Sequence, residues 1–362
     1  MNFNQVIGMI PVVLALASSC IGNDTEEVDV PVTFLSSSIK DTAELLLPTG
    51  ISFEFPITAT AINVWHDSIA VVFNGSPANN RFVEFFNMRT GQKIDGFFRK
   101  GRGPGEFLGA IYTFNNDTVQ LYDPRLELIV WLPADSAIAR ASYVPQKPRH
   151  LSWDSFASRW VWPYGEGLLG LNTNCFVNKD LGVNYDGSRF IVSDSSYSYK
   201  EKKKYKYDTF NTQDSHAFIS YEKGRIVYMN GTEPEVELYD LNLKLLKKIK
   251  GPELPRTQEY AINDLNEILQ VNEVSYSYKV ECHDDEHFYL TYIGDFLSRD
   301  INYDPCNFKS YVFQFDWDGN FIDSYLIDSY IVSLSLSDDG NSLYAFGTDK
   351  DGINVFNQYM LK

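Results

Sequence analysis

The first candidate functional segment is a glycine-rich stretch, residues 99–107, which reads RKGRGPGEF. Such turns can hold phosphate groups, but this one lacks the Lys-Ser/Thr pair of a P-loop and does not fit the GxGxxG pattern that opens a helix. We therefore predict a structural connector whose glycines adopt positive φ, with a ligand-contacting loop as the alternative. The candidate residues of this loop are Arg102, Gly103, Pro104, Gly105, Glu106 and Phe107.

Four aromatic residues form a second candidate site. They are Trp153, Trp160, Trp162 and Tyr164. Flat aromatic side chains can stack on sugar rings, so a glycan-binding platform is one interpretation. Large aromatic residues also fill the space between packed sheets, and we favour that structural interpretation.

A third segment reads CHDDEH and places His283 and His287 four residues apart with carboxylates between them. Two histidines at this spacing can ligate a metal when they share one face of a helix. Here the segment lies between two predicted strands, so the two side chains would not share a face. The pattern predicts an acidic hairpin tip, and we expect neither a bound metal nor a cofactor.

The N-terminal region predicts export. Residues 6–17 are mostly apolar, a run too short to span a bilayer but suited to a signal peptide. The small residues Ala17, Ser18 and Ser19 precede Cys20, which resembles the lipobox of bacterial lipoproteins, although the first five residues lack Lys and Arg. We predict a signal peptide over residues 1–19 and a lipidated Cys20 with a tether up to residue 44. The alternative is an ordinary secretory signal that leaves Cys20 incidental.

Composition limits the partners. The 362 residues carry a formal net charge of −17, which repels nucleic acid and anionic lipid headgroups. We therefore expect no nucleic-acid partner, membrane association through the lipid anchor only, and a monomer. Export would permit one disulfide among Cys175, Cys282 and Cys306, and Cys282 with Cys306 is the favoured pair, although the sequence does not settle the pairing.

The elements that must position these residues are short alternating strands separated by Gly, Asn, Asp and Pro turns. A strand–turn–strand unit recurs six times, with turns centred on Asn87, Asp123, Asp186, Asp240, Asp316 and Asn357. Repetition of such units is typical of the blades of a β-propeller. We predict an all-β, six-bladed β-propeller over residues 45–362.

The last predicted blade has only three strands before the chain ends. An open edge strand would leave backbone groups unpaired, so residues 50–57 are predicted to supply the fourth strand. In that segment Ile51, Phe53, Phe55 and Ile57 would share one face. This closure predicts that residues 21–44 can be deleted without loss of the fold.

The GRGPGEF string, together with residues 239–252 and 315–321, resembles sequences of TolB-like six-bladed propeller lipoproteins, which are exported proteins of anaerobic Gram-negative bacteria. The resemblance covers roughly residues 45–362. It implies the fold and a location in the cell envelope, as an outer-membrane lipoprotein on the periplasmic or surface face. It implies no activity and no catalytic residues.

No nucleophile elbow, paired-carboxylate motif or EF-hand pattern occurs in the sequence. We therefore predict a binding module that presents its loops to a protein, peptide or glycan. The alternative is a hydrolase or lyase acting on a glycan or peptide, because propeller enzymes gather residues from separate blades around a central channel. Buried carboxylates or histidines with shifted pKa values in that channel would favour the enzyme.

Overall fold

Aromatic and β-branched residues of this chain form β-strands where they alternate with polar residues. The computed structural model describes residues 30–51, 53–75, 79–104, 106–115, 118–123, 125–126, 128–135, 149–150, 158–164, 167–172, 190–193, 216–231, 233–254, 273–298 and 309–361. Within these ranges the chain has 24 β-strands and one short helix, α1 (Ser38–Asp41). Among the same residues no helix is long and apolar enough to cross a membrane.

The strands form six sheets, numbered here in chain order. Sheet 1 contains β3 (Ala59–Trp65), β4 (Ile69–Asn74), β5 (Arg81–Asn87) and β6 (Lys93–Arg99). Sheet 2 contains β7 (Ile111–Asn115), β8 (Thr118–Asp123), β9 (Leu128–Pro133) and β10 (Arg149–His150). Sheet 3 contains β11 (Ser158–Tyr164), β12 (Gly167–Asn172) and β13 (Phe190–Ser193).

The second half of the chain builds the other three sheets. Sheet 4 contains β14 (His216–Ser220), β15 (Arg225–Met229), β16 (Glu235–Asp240) and β17 (Leu245–Lys250). Sheet 5 contains β18 (Glu273–His283), β19 (His287–Ser298), β20 (Ser310–Asp316) and β21 (Phe321–Ile327). Sheet 6 contains β22 (Ser329–Leu336), β23 (Ser342–Asp349) and β24 (Asn354–Met360).

The predicted turn centres do not all occupy the same position within their sheets. Asn87, Asp240 and Asp316 are the last residues of the third strands of their sheets, and the Asp240 Oδ1 atom accepts the N–H groups of residues 242 and 244 at 2.8 and 2.9 Å. Asp123 instead ends the second strand of sheet 2, and Asn357 lies inside β24. Asp186 is outside the described residues. The repeat was therefore read correctly in three sheets, where an Asn or Asp side chain caps the turn locally.

Apolar clusters join the sheets in a cyclic order. Separate buried clusters connect sheets 1 and 2, sheets 3 and 4, sheets 4 and 5, and sheets 5 and 6. A further cluster packs Phe346 and Phe356 of sheet 6 against Ile62 and Val72 of sheet 1. Ile111 of sheet 2 packs on the cluster of sheets 3 and 4. This arrangement confirms the predicted all-β propeller but not the predicted six complete blades, because within the described residues only sheets 1, 2, 4 and 5 reach four strands.

The segment 31–49, called here the N-terminal strap, follows the outer edges of sheets 4, 5 and 6. β1 (Val32–Phe34) pairs in parallel with β17, and β2 (Glu44–Leu45) pairs in parallel with β21. Pro48 then forms an antiparallel bridge with Tyr359 of β24. The prediction of a tether up to residue 44 is therefore wrong from residue 31 onward, because these residues cover strand edges that would otherwise be open.

Closure of sheet 6 also differs from the prediction. Among the described residues of 50–57 there is no strand, and the pairing with β24 is made earlier, where the Thr49 N–H donates to the Gln358 carbonyl at 2.9 Å. The Phe53 ring is buried between aromatic rings of sheets 1 and 6, at centroid distances of 5.8 and 6.0 Å, whereas Ile57 is 95% exposed. The prediction placed the apolar side chains of this segment on one face of a strand. Instead Phe53 is buried between two sheets, and this burial of apolar surface stabilises the observed conformation.

Gly251 permits the strap to approach sheet 4. Its φ is +100°, and a Cβ at this position would lie 2.4 Å from the Leu35 carbonyl oxygen. The Leu35 N–H donates to the Lys250 carbonyl at 2.7 Å, which holds the strap at this short distance. We expect Gly251→Ala to lower the free energy of unfolding by about 2–4 kcal/mol, because the left-handed conformation and the displaced strap both contribute.

Urea unfolding of Gly251→Ala beside Gly91→Ala checks this prediction. Gly91 has φ of +68° but no atom lies within 4 Å of a Cβ built there, so its replacement carries only the conformational cost, about 1 kcal/mol. Equal losses in the two variants would show that the strap does not constrain residue 251.

Candidate functional site

The first strand of each sheet lies at one edge of its sheet, and these six strands surround two adjoining cavities. The larger, called here the mouth cavity, has a volume of about 430 Å³ and lies where five of the first strands end. The smaller, the inner cavity, has a volume of about 170 Å³ and is lined by residues from all six. Asn63, Phe114, Glu281 and Leu334 line both cavities. The two cavities are therefore successive parts of the central channel of the propeller.

Acidic side chains dominate the mouth cavity. They are Glu222, Asp284, Asp285 and Asp338, which lie in the turns after the first strands of sheets 4, 5 and 6. His66 Nδ1 lies 3.0 Å from an Asp338 carboxylate oxygen, and Lys223 Nζ lies 4.0 Å from one of Asp285. Both contacts are solvent-exposed and contribute little to stability. Because the acids outnumber these partners, the mouth attracts cations.

The CHDDEH segment forms the tip of the hairpin between β18 and β19, which confirms that prediction. One Asp284 carboxylate oxygen accepts the N–H groups of Glu286 and His287, both at 2.6 Å. The two histidines do not converge, because the His283 ring stacks on the Phe218 ring at a centroid distance of 5.4 Å. Within the described ranges no three His, Cys, Asp or Glu side chains are placed to hold a metal ion.

A β-bulge in β18 precedes Glu281. Tyr278 pairs with Tyr292 and Glu281 with Leu290, so two residues of β18 face the single residue Thr291 of β19. The Thr291 hydroxyl fills the bulge by accepting the Val280 N–H at 2.9 Å. A bulge changes the side toward which the following residues point, and bulges are frequent beside functional sites. Here it precedes a carboxyl group that lines both cavities.

Glu281 has unusual acid–base properties. Burial raises the pKa of its carboxyl to about 8, because desolvation disfavours the charged form. Across the described part of the chain no group donates a hydrogen bond to this carboxyl. The neighbouring Lys279 ammonium lies 4.5 Å from the centroid of the Tyr330 ring and does not offset the shift. Glu281 is therefore mostly a neutral acid at pH 7.

Burial also shifts the pKa values of the next two residues of β18, Cys282 and His283. Burial lowers the pKa of His283 to about 4, so its ring is neutral at pH 7, packed against Phe218 and Trp317. Cys282 is a buried free thiol whose pKa burial raises, and Cys306, its favoured partner, lies outside the described residues. A thiol held in its protonated form in an apolar site is not a reactive nucleophile.

Asn63 fixes one wall of the channel. Its side-chain oxygen accepts the Tyr112 hydroxyl at 2.9 Å, and its amide group donates to the Leu334 carbonyl and the Ser335 hydroxyl, both at 3.1 Å. These bonds connect the first strands of sheets 1, 2 and 6. Burial raises the pKa of Tyr112, which keeps it a neutral donor. The wall is thus held in place before any ligand binds.

The GRGPGEF loop is a connector, as predicted, and leads from β6 to β7 at the end of the channel opposite the mouth cavity. Phe107 is fully buried and anchors the loop in the cluster of sheets 1 and 2, while Arg102 is exposed. Glu106 accepts the Gly103 N–H at 2.8 Å and lines neither cavity. The expected positive φ is wrong for Gly101 and Gly103. At both positions the Glu106 carboxylate occupies the space that a Cβ would need. Pro104 is exposed, and Gly105 lies outside the described residues.

Of the four candidate aromatic residues, only Trp162 has a side chain within the described structure. Trp162 is 5% exposed, packs in the cluster of sheets 3 and 4 and lines the inner cavity. It therefore fills the space between sheets, as the structural interpretation predicted. Trp160 and Tyr164 belong to β11, but their side chains lie outside the described part, as do all of Trp153 and Cys20.

Sequence reasoning missed the residues that line the channel, above all Asn63, Glu222, Glu281 and Asp338. Each lies within the last three residues of a first strand or in the turn that follows it. The repeats stand out in the sequence at later strands, whose turns carry Asn and Asp that cap them locally. Aligning the first strands would have drawn attention to this ring of polar residues.

Two solved structures are similar to this chain. One is a provisionally named exported protein from Bacteroides fragilis, with a TM-score of 0.51 and 10% identity, covering 91% of this chain and 99% of that protein. The other is a member of the DUF4221 family from Bacteroides vulgatus, with a TM-score of 0.52 and 12% identity, covering 88% and 96%. Neither a family model nor a curated protein matches the sequence. The likeness supports the propeller fold alone, and membership of the TolB-like group is not confirmed.

Proposed function

We propose that the chain is an exported, lipid-tethered binding protein of the cell envelope, in which the central channel of the propeller holds the ligand. One observation carries the proposal: the first strands of all six sheets line the channel, and their ends gather polar side chains at its mouth. The volume of the mouth cavity, about 430 Å³, lies in the range of small-molecule sites. A small polar compound, or one end of a peptide or glycan, would fit.

The wall geometry favours binding over catalysis. Asn63, Tyr112 and Ser335 satisfy one another with hydrogen bonds, so the wall is rigid and its remaining polar atoms have fixed directions. Rigid walls reduce the entropy lost when a ligand binds. Cys282, the free thiol beside the channel, is held in its protonated form.

A matched pair of substitutions tests the site. Glu222 and Glu286 are both exposed residues of turns between first and second strands, but only Glu222 lines the mouth cavity. Thermal-shift screening of peptides, oligosaccharides and small polar compounds is expected to find ligands that stabilise the parent protein and Glu286→Trp. Glu222→Trp should lose the response, because the indole would occupy the mouth. Ligands that stabilise all three proteins equally would place binding elsewhere.

A second candidate function is hydrolysis or elimination on a glycan or peptide bound in the channel. The observation that favours it is the Glu281 carboxyl, which is protonated at neutral pH and could donate a proton to a leaving group. In an enzyme Glu281→Gln would abolish turnover and leave substrate binding almost intact. In a pure binding protein no compound that binds the channel would be consumed.

The proposed anchor is Cys20. The chain between Cys20 and the strap, residues 21–30, can span at most about 35 Å, so an anchored propeller would stay close to its membrane. The parent protein should partition into the detergent phase, and Cys20→Ala should move to the aqueous phase, because a diacylglycerol chain supplies the membrane affinity. Unchanged membrane association of Cys20→Ala would refute the anchor while leaving the channel proposal intact.

A further inference from the structure

We propose that the ligand of the channel is a small organic cation, a compound with ammonium groups along a flexible chain, and that Glu281 binds one of these groups. The inference rests on the proposed binding function and specifies its ligand class. Two independent observations support it: the charge of the mouth cavity and the unpartnered carboxyl below it.

The mouth cavity would attract and orient such a ligand. Four carboxyl groups from three sheets converge there, opposed by His66 and Lys223. Glu222 and Asp285 are exposed and can rotate toward a bound ligand, whereas Asp284 is fixed by two backbone N–H groups. A channel mouth with one sign of charge raises the local concentration of ligands of the opposite sign.

Glu281 supplies the second contact. It lies below the acidic turns and lines both cavities, and among the described residues no donor contacts its carboxyl. Its side chain is half-buried, so a ligand in either cavity can reach the carboxyl and donate hydrogen bonds to it. An ammonium group adds opposite charge, which stabilises the ionised form that the protein alone disfavours.

Binding should therefore release a proton. The pKa of Glu281 is about 8 in the free protein, so the carboxyl is mostly protonated at pH 7 and would ionise beside an ammonium group. The other titratable groups that face the cavities are Lys279, Cys282 and His283 of β18, His216 of β14, Tyr112 of β7, His66, and the four mouth carboxyls. His283 and Tyr112 stay neutral near pH 7. His66 needs its own control because its ring faces the mouth cavity and lies 3.0 Å from an Asp338 carboxylate oxygen.

The shared lining of the cavities favours a linear ligand. Because Glu281 faces both, a compound with ammonium groups several bonds apart can contact the mouth carboxyls and Glu281 together. Spermidine is a suitable probe of this class, and tetraethylene glycol is a neutral control of similar length. The probe tests the chemistry of recognition and does not identify the natural ligand.

Isothermal titration calorimetry at pH 7, in buffers of different ionisation enthalpy, tests the inference. We expect spermidine to bind, tetraethylene glycol not to bind, and about one proton to be released per spermidine bound. Glu281→Gln should weaken binding about 10- to 100-fold and remove the proton release, because a charge-assisted contact is lost. His66→Gln and the exposed control Glu286→Gln should retain the proton release.

Two results would overturn the inference. One is equal binding of spermidine and tetraethylene glycol, or no spermidine binding at all. The other is unchanged proton release in Glu281→Gln. If an uncharged ligand still binds the parent protein and loses binding in Glu222→Trp, the channel remains a binding site and only the cationic class is wrong.

Discussion

A chain that begins at residue 50 should be far less stable than one that begins at residue 30, because only the shorter chain lacks the strap. Leu35 and Leu46 are 7% and 4% exposed, and their burial stabilises the fold by about 1.5–3 kcal/mol each. The lost pairing also exposes the outer edges of β17 and β21. A domain is typically stabilised by only about 5–15 kcal/mol in total, and the two leucines together with the lost strand pairing account for a large part of that free energy. Thermal unfolding with light scattering should show a lower melting temperature and aggregation.

The adjacent residues Leu46 and Leu47 provide the matched control. Leu46 is buried in the cluster of sheets 5 and 6, whereas Leu47 is 72% exposed. Leu46→Ala should cost about 2–4 kcal/mol, and Leu47→Ala should change stability by less than about 0.5 kcal/mol. If the shortened chain melts like the longer one, or the two alanine variants are alike, the strap does not pack on the propeller as described.

Replacing Glu281 with glutamine should make the protein more stable, and increasingly so as the pH rises. The carboxyl has a pKa of about 8 in the folded chain against an ordinary value of 4.5, so the folded state binds more protons between these pH values. Stability of the parent therefore falls as the pH rises from about 4.5 to about 8 and levels off above that. Glutamine cannot ionise, so Glu281→Gln should gain up to about 5 kcal/mol at pH 8 and little at pH 4.5.

Urea unfolding of both proteins at pH 5, 7 and 8.5 measures this difference. His283 acts in the opposite direction, because its lowered pKa makes the fold lose stability as the pH falls below about 6.5, but it is present in both chains and cancels. The exposed control Glu286→Gln should show no such pH dependence. A constant difference between parent and Glu281→Gln would mean that Glu281 is hydrated and ionised in the folded protein.

The sequence alone was sufficient for the features that depend on local chemistry. Alternation of apolar and polar residues indicated short strands, and three of the predicted turn centres, Asn87, Asp240 and Asp316, lie at the end of an observed third strand. Asp240 and Asp316 cap turns through their own side chains, so the turns could be read from neighbouring residues. The CHDDEH hairpin tip and the connector role of GRGPGEF follow from the same short-range rules.

Only the tertiary structure decided the features that depend on distant contacts. The strap pairs with strands about 215 to 310 residues further along the chain, and the two-residue strand β2 carries no sequence signal of its own. Glu281 looks like any acidic residue of a strand until the bulge and five neighbouring first strands enclose it and raise its pKa. Desolvation and edge pairing come from the surrounding fold, so neither can be read from a residue and its immediate neighbours.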